Sequence, residues 1–221
     1  MQGVRDHRSG SVTDTARVRP TPLYRAIATA SVPVLRGLFR LRVTGLEHIP
    51  SEGGFVLAAN HTSNFDPWPL GVALFPGRFL RFMGKSELFW FPLGAFIGAA
   101  GAFPVRRGQK DLEAIQTAVE LCREGHAVVM FPEGTRRKKG LVKKHDAKAH
   151  TGTARIALEA DVPLVPAAIR GTDRLAKLAR LSVAYGPPIP LDDLRDLDIR
   201  DAATVATERL MAEIDRLEET L

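Results

Sequence analysis

Short apolar runs alternate along the chain with segments in which apolar residues recur every three or four positions. The apolar runs, which predict buried strands, are residues 55–59, 127–131, 162–169 and 181–185. The segments with helical spacing are residues 111–125, residues 153–160 and about residues 202–221. Strands that alternate with helices predict an α/β fold, in which a largely parallel sheet is flanked by helices.

The first 41 residues divide into a polar tail and an apolar stripe. Residues 1–20 are polar and charged, which predicts a flexible tail, and residues 21–221 are expected to form one folded domain. Over residues 21–41, apolar positions recur among arginines, and Pro33 is expected to divide the segment into two short helices. A basic amphipathic helix is typical of a membrane surface, but an ordinary packing helix would show the same stripe.

The longest uncharged stretch covers residues 88–105. Its length is at the lower limit for a membrane span. Glycines and prolines within it, such as Gly94 and Pro104, weaken a continuous helix. We therefore expect a segment that is buried, or that dips into a bilayer surface, and not one that spans a membrane.

Composition and charge indicate a globular protein that binds an anionic partner. Hydrophobic residues make up 45% of the 221 residues and charged residues 25%, as in globular proteins that bury a full core. The formal net charge of +6 favours an anionic partner such as nucleic acid, an acidic membrane or a phosphorylated substrate. The lone cysteine, Cys122, excludes a disulfide within the chain, and its apolar helical position favours a small buried hydrophobe over a nucleophile.

A histidine and an aspartate follow the first apolar run. His61 comes just after the predicted strand, and Asp66-Pro67 is a favourable helix start, with aspartate as the N-cap. A turn between strand and helix would let the Asp66 carboxylate fold back onto the His61 imidazole, fix its tautomer and leave the other ring nitrogen free as a general base. The alternative is a plain loop histidine beside an N-cap aspartate, and this segment alone favours that alternative.

Motifs for a protein nucleophile or a metal are missing. The sequence has no Gly-x-Ser-x-Gly turn, and residues 84–86 resemble the end of a phosphate-binding loop only in part, because Phe79 stands where that loop needs glycine. His-Glu-x-x-His and paired cysteines are also absent. The sequence therefore predicts direct attack by a substrate hydroxyl, with no covalent enzyme intermediate and no metal.

A second polar turn follows the apolar run at residues 127–131. Its residues are Glu133, Gly134, Thr135 and Arg136. A glycine turn at a strand end is where an α/β sheet usually keeps its site. Arg136 can bind a phosphate in bidentate fashion, and Glu133 could orient that arginine or a substrate hydroxyl. The alternative is a turn with a solvated ion pair.

Further cations follow the uncharged stretch and the second polar turn. Arg106 and Arg107 directly after the apolar residues would suit an amphiphile, with its acyl chain along the apolar wall and its phosphate at the arginines; the alternative is a surface pair beside a core strand. Residues 136–148 are rich in lysine, which favours a solvated loop, membrane phosphates or an acidic acyl donor. Nucleic acid is not expected, because no aromatic residues are interleaved for stacking.

Together and in this order, four blocks resemble the glycerolipid acyltransferase family, specifically the 1-acylglycerol-3-phosphate acyltransferases. The blocks are residues 60–66, similar to the family's His-x4-Asp motif, residues 103–107, residues 131–136, which match its Phe-Pro-Glu-Gly-Thr-Arg block fully, and residues 162–166. Residues 84–88 are similar to the stretch before its second block. The resemblance covers roughly residues 40–190 and implies the family's α/β domain, with N-terminal helices at a membrane.

The resemblance also implies a role for each matching residue. His61 would be the general base and Asp66 the partner that orients it. The substrate-binding residues would be Lys85, Arg107, Glu133, Gly134, Thr135 and Arg136. Of these, the two arginines would bind the glycerol phosphate, and the lysine is a weaker candidate.

The implied reaction moves a fatty acyl group from acyl-CoA or acyl carrier protein to the sn-2 hydroxyl of 1-acylglycerol-3-phosphate. No cofactor beyond that co-substrate is implied. The enzyme would be peripheral or monotopic at the cytoplasmic face of the cell membrane, with the lysophospholipid, the acyl donor and the membrane surface as partners. Arg106 stands where the family often has an acidic or neutral residue. Another lysolipid or glycolipid acceptor stays open, as does a non-catalytic lipid-binding protein, although binding alone would need neither His61 nor Asp66.

Overall fold

Seven strands form one sheet in the part of the chain that the computed structural model describes, namely residues 20–105, 111–134 and 149–221. The strands are β1 Arg42–Thr44, β2 Phe55–Ala59, β3 Leu80–Lys85, β4 Ala102–Val105, β5 Ala127–Met130, β6 Leu164–Arg170 and β7 Ser182–Tyr185. They lie in the order β1-β7-β6-β2-β5-β3-β4, and neighbours are parallel except β6 and β7. The predicted α/β fold with a largely parallel sheet is confirmed.

Six α-helices flank this sheet in the described residues. They are α1 Pro22–Pro33, α2 Pro67–Leu74, α3 Leu93–Ala99, α4 Asp111–Arg123, α5 Gly152–Ala160 and α6 Ile199–Glu219. The helices predicted near residues 111, 153 and 202 are confirmed, with the last beginning slightly earlier. A left-handed Gly125, with φ of 89°, follows α4 and provides the expected stop.

Both faces of the sheet are covered, because alternate residues of its central strand β2 point to opposite sides. Val56 and Ala58 pack with residues of α4, α5 and α6, whereas Phe55 and Leu57 pack with residues of α2. All five residues of β2 are buried, which explains why this strand reads as a continuous apolar run. Cys122 is buried in the first of these clusters, as its sequence position indicated.

Pro33 ends the N-terminal α-helix, as expected, and a π-helical turn at Val34–Leu38 follows it. In the structure, some apolar residues of the stripe predicted over residues 21–41 are buried and others are exposed. Leu35 is buried with residues of α2, while Leu23 and Leu38 stay exposed, so the segment both packs and presents apolar side chains to its surroundings. The tail predicted at residues 1–20 lies, except for its last residue, outside the described residues.

The uncharged stretch at residues 88–105 forms the short helix α3 and then strand β4. The strand is mostly buried, but the helix has no buried residue, and Trp90 and Phe91 before it are 59% and 86% exposed. Within the described ranges, no helix is long and apolar enough to cross a bilayer.

Candidate active site

The polar residues that the sequence singled out come together because four parallel strands lie side by side. In the order β2-β5-β3-β4, the carboxyl ends of these strands form one edge of the sheet. His61 follows β2, Glu133 follows β5, and Lys85 ends β3 in register with Val105, the last residue of β4. In α/β sheets this edge is where ligands usually bind.

The Asp66 carboxylate lies at the centre of a dense hydrogen-bond cluster beside β2. Its Oδ2 accepts from His61 Nδ1 at 2.8 Å and from the backbone amides of Thr62 and Ser63 at 2.7 and 2.9 Å. Its Oδ1 accepts from the Thr62 hydroxyl at 3.1 Å and from the Thr172 hydroxyl over a very short contact. The fold-back of Asp66 onto His61 that the sequence allowed is therefore present in the structure.

The cluster keeps Asp66 ionised. Burial alone would raise the pKa of this fully buried carboxyl, but hydrogen bonds from His61, Ser63, Thr172 and Thr62 outweigh that effect and lower the pKa below its ordinary value. An ionised carboxylate only accepts hydrogen bonds, so His61 Nδ1 must carry a proton. The other ring nitrogen of His61, Nε2, is then the one that can accept a proton from a substrate.

Asp66 stands at the predicted N-cap position before Pro67, the first residue of α2. Its side chain nevertheless makes no capping hydrogen bond, and its backbone is already helical. The carboxylate cannot cap the helix because it turns back towards His61. The alternative of a loop histidine beside a capping aspartate therefore does not describe this site.

The His61 ring is held from its other side by Phe131. The two rings stack with centroids 4.1 Å apart and planes at 21°. The His61 side chain keeps 17% exposure, and among the described residues no hydrogen bond reaches its Nε2. The imidazole is thus fixed in place, and within the described part of the chain its Nε2 is not bonded to the protein.

The turn after β5 brings a second histidine to this edge. Gly134 has φ of 67°, and a Cβ built on it would lie 2.5 Å from the ring of His150. Both features require glycine at this position. The His150 amide donates to the Pro132 carbonyl at 2.8 Å, which fixes the start of the segment leading to α5. Glu133 in the same turn is 8% exposed, so the alternative of a solvated ion pair does not fit its side chain.

Several predicted substrate-binding groups cannot be placed. Arg106, Arg107, Thr135 and Arg136 lie outside the described residues, and Lys85 is described only as the end of β3. The lysine-rich segment of residues 136–148 also lies outside. Within the described residues, no three His, Cys, Asp or Glu side chains could hold a metal ion together. The absence of a metal cofactor stays a prediction.

Two residues that sequence reasoning missed complete the site. Thr172 bonds Asp66 from the end of β6, and Asn60 bonds Ile169 of that strand in both directions, at 3.0 and 2.8 Å. In the sequence, Asn60 stands out only as the first residue of the block at residues 60–66. The position of Thr172 just after a strand, like that of His61, is the signal that could have found it.

An apolar cavity of about 180 Å³ opens beside the His61 block. It is lined by Tyr24, Ile27, Ala28, Asn64, Phe65, Pro67, Trp68, Gly71, Val72, Leu80, Phe82 and Ala100. A larger cavity of about 670 Å³ lies between α5 and the start of α6, near the amino end of β6. Because β2 and β6 are parallel, that larger cavity is far from the strand ends that carry His61, and we assign the smaller one to the site.

An α/β domain with a His-Asp pair at the carboxyl edge of its sheet is the architecture that the sequence blocks implied. The model of the Acyltransferase family matches residues 40–170, which is more than half of the chain. The chain belongs to the acyltransferase family, and the predicted family is confirmed.

Individual relatives agree with this assignment. The chain is 32% identical over 205 residues to a 1-acyl-sn-glycerol-3-phosphate acyltransferase from Bacillus subtilis, covering 90% of this chain and 98% of that protein. It is 30% identical over 179 residues to a protein of the same name from Streptococcus pneumoniae, covering 78% of this chain and 64% of the relative. The crystal structure of PlsC, the 1-acyl-sn-glycerophosphate acyltransferase from Thermotoga maritima, superposes with a TM-score of 0.63 at 24% identity, over 88% of this chain and 79% of that one, and shares the fold.

Proposed function

We propose that the protein transfers a fatty acyl group to the sn-2 hydroxyl of 1-acylglycerol-3-phosphate and so forms phosphatidic acid. The observation that carries this proposal is the His61–Asp66 pair, in which Nδ1 bonds a buried carboxylate and Nε2 has no hydrogen-bond partner among the described residues. The relatives from Bacillus subtilis and Streptococcus pneumoniae support this acceptor by the activity in their names.

In this proposal His61 Nε2 removes the proton from the acceptor hydroxyl as the hydroxyl oxygen attacks the thioester carbonyl. Asp66 stabilises the imidazolium that forms. When the tetrahedral intermediate collapses, the carbon–sulfur bond breaks and Nε2 returns the proton to the leaving thiolate. The products are an ester and a free thiol, and His61 is regenerated.

The cations at the same strand ends are proposed to bind the acceptor's phosphate. Lys85 and Val105 are paired in register, and Arg107 comes two residues after Val105 in the sequence. Arg136 comes two residues after Gly134 in the sequence that follows β5. The acyl donor would be acyl-CoA or acyl carrier protein, and the lysines of residues 136–148 have the charge to attract either acidic donor.

The apolar cavity beside the His61 block supports a site for an acyl chain. Its lining is almost entirely apolar, and Asn64 and Phe65 lie within the block itself. Tyr24 and Ile27 of α1 close one side, so the N-terminal helix takes part in the cavity. A chain bound there would have its carbonyl end near His61 and its apolar end among side chains that water does not solvate well.

A membrane surface is the partner that fits a set of exposed apolar side chains, one of which, Phe65, also lines this cavity. Phe65, Trp90, Phe91 and Phe96 are each more than half exposed, and Leu23 is 40% exposed. We call these five the apolar surface. Helices α1 and α3, which carry Leu23 and Phe96, are linked, because the hydroxyl of Thr21 before α1 donates to the Ala99 carbonyl of α3 at 2.8 Å.

Exposed arginines accompany the apolar surface and favour an anionic bilayer. Arg25, Arg36 and Arg40 lie exposed in and around the N-terminal helices. Each cation near an anionic membrane contributes about 1 kcal/mol to binding. We propose that the enzyme binds the cytoplasmic face of the cell membrane in a peripheral or monotopic way, with the apolar surface towards the lipid.

The test of the reaction is acyl transfer in detergent micelles from radiolabelled donor to lysophosphatidate, with wild type beside His61→Ala. His48→Ala is a matched control, because His48 bonds the Tyr185 carbonyl at the end of β7 away from the site. We expect wild type and His48→Ala to form phosphatidic acid and His61→Ala to lose about 10²–10⁴-fold in kcat. Equal product from all three proteins would reject His61 as the base.

The same assay separates the remaining alternatives. Acyl-CoA and acyl carrier protein are supplied in turn with lysophosphatidate, and then with other lysolipids and glycolipids. A product with another acceptor alone would reject lysophosphatidate as the substrate but keep the mechanism. Binding of lysophosphatidate without any product from either donor would support a non-catalytic lipid-binding protein.

The membrane proposal is tested by sedimentation with vesicles of phosphatidylglycerol or phosphatidylcholine. The double variant Trp90→Ser/Phe91→Ser should bind the anionic vesicles at least about 10-fold more weakly, because burying each such side chain contributes about 1.5–3 kcal/mol. Leu197→Ser is the matched control, since Leu197 is 47% exposed beside the larger cavity. Unchanged binding by the double variant would reject the apolar surface as the contact.

A further inference from the structure

Thr172 reaches the His61–Asp66 pair from a different part of the chain. It follows strand β6, which lies beside β2 and runs parallel to it. Gly171 before it has φ of 98°, and a Cβ there would lie 2.2 Å from the Arg180 carbonyl oxygen, so only glycine allows this turn. The turn places the Thr172 hydroxyl against Asp66 across a separation of 106 residues, with Thr172 2% exposed.

The hydroxyl protons of Thr62 and Thr172 decide which group donates to Asp66 Oδ1. The hydroxyls of Thr62 and Thr172 both contact Oδ1 and also lie 2.8 Å from each other. Each hydroxyl has one proton. An ionised carboxylate oxygen only accepts, so the Thr172 hydroxyl donates to Oδ1, while Thr62 shares its proton between Oδ1 and the Thr172 oxygen.

The two oxygens of Asp66 thus have separate tasks. Oδ2 faces the Nδ1 of His61 together with the amides of Thr62 and Ser63, and Oδ1 faces the two hydroxyls. The amides come from the loop that carries His61 itself, so they move with it. Thr172 follows a different strand, β6, and its hydroxyl ties the carboxylate to that part of the sheet.

We propose that Thr172 is a positioning residue for acyl transfer, whose hydroxyl holds the Asp66 carboxylate in the orientation that keeps the proton of His61 on Nδ1. The proposal rests on the proposed function, since it assigns a role within the same reaction. It extends the His-x4-Asp pair to a third residue, which acts through Asp66 and does not touch the substrate.

The test compares Thr172→Val, which keeps the shape but removes the hydroxyl, with Thr172→Ser, which keeps the hydroxyl. Thr207→Val is the matched control. Thr207 is also a buried threonine, but its hydroxyl donates to the Ala203 carbonyl within α6, away from the site. Should the valine at 172 prevent folding, Thr172→Ala replaces it. Circular dichroism and thermal unfolding establish that each variant is folded.

Thr172→Val should lower kcat about 10- to 100-fold, the range for losing one hydrogen bond to a charged group, with little change in KM for either substrate. Thr172→Ser should stay within about 3-fold of wild type, because the donor remains. Thr207→Val should lower the unfolding temperature and leave kcat unchanged. NMR of the histidine ring nitrogens, with His61 assigned by its loss in His61→Ala, should show an Nδ1–H tautomer that becomes mixed only in Thr172→Val.

Three results would overturn the proposal. Thr172→Val could keep wild-type kcat and tautomer, Thr172→Ser could be as impaired as the valine variant, or the loss could lie in KM alone, which would indicate a substrate contact. A wild-type protein without any acyl transfer activity would instead reject the proposed function. The tautomer measurement needs no turnover and separates that failure from failure of the positioning role.

Discussion

The sharpest test of the site's electrostatics is Asp66→Asn, because the structure fixes how an amide would sit there. At the Oδ2 position the side chain faces three N–H donors, from His61 and from the amides of Thr62 and Ser63. At Oδ1 it faces two hydroxyls, which can rotate to accept. The asparagine oxygen therefore takes the Oδ2 position and its NH₂ group the other. His61 keeps the same tautomer, and what is lost is the charge.

The size of the loss follows from the contact between Asp66 and His61. Opposite charges about 4 Å apart attract by about 4 kcal/mol at an effective dielectric constant of about 20. A neutral hydrogen bond from His61 to the amide oxygen retains about 1 kcal/mol of this. The remaining 3 kcal/mol or so corresponds to a drop of about 10²-fold in kcat, with KM for both substrates unchanged because Asp66 is fully buried and touches neither.

The assay is the acyl transfer reaction used for His61→Ala, run at saturating donor and acceptor, with Asp193→Asn as control. Asp193 pairs with Arg209 at 2.6 Å on the surface and should tolerate the change without effect on kcat. A kcat for Asp66→Asn within about 3-fold of wild type would refute the view that the carboxylate stabilises an imidazolium. Nitrogen NMR that showed His61 protonated on Nε2 in this variant would refute the orientation argument instead.

Three further predictions concern pH, the thiol and the amino edge of the sheet. Because the folded pKa of Asp66 is lowered, its contribution to stability is present above the unfolded value of about 3.9 and is lost as pH falls through the folded pKa. The free energy of unfolding should therefore fall less steeply with decreasing pH in Asp66→Asn than in wild type. Burial raises the pKa of the Cys122 thiol to about 12, so iodoacetamide at pH 8 should leave native activity intact and label the chain only in denaturant. Arg78 donates to the carbonyls of Pro50, Gly53 and Gly125, so Arg78→Met should lower the free energy of unfolding in urea by about 2 kcal/mol and leave kcat unchanged. Equal urea midpoints for the variant and wild type would contradict this.

The parts of the site that the sequence predicted depend on short separations along the chain. His61 and Asp66 are five residues apart, and a strand followed by Asp-Pro limits how the loop between them can turn. The strands and helices could be predicted for the same reason, because the period of apolar residues is a local property. Asp66 takes the predicted N-cap position, but its side chain does not cap α2 because a long-range partner, Thr172, and the imidazole bind its oxygens.

The exposed aromatic residues could not be predicted from hydropathy. Trp90 and Phe91 lie in the longest uncharged stretch, where an apolar pattern normally indicates burial. The structure buries strand β4 at the end of this stretch and leaves Trp90 and Phe91, which precede α3, exposed to solvent. The sequence allowed either outcome, because hydropathy does not encode which neighbouring element covers a segment.

Strand order, which sequence periodicity does not encode, explains how Thr172 comes to belong to the site. β6 lies directly beside β2, although α2, α3, α4 and α5 separate them along the chain. Asn60 continues this pairing past the end of β2, because its side chain bonds the Ile169 backbone in both directions, as a strand residue would. With that register fixed by the contact between Asn60 and Ile169, Thr172 lies three residues beyond Ile169 and His61 lies one residue beyond Asn60. The β2–β6 pairing therefore holds the His-x4-Asp loop beside Thr172, and loss of the Asn60 side chain should disturb the Asp66 contacts through Thr172 before it disturbs the core.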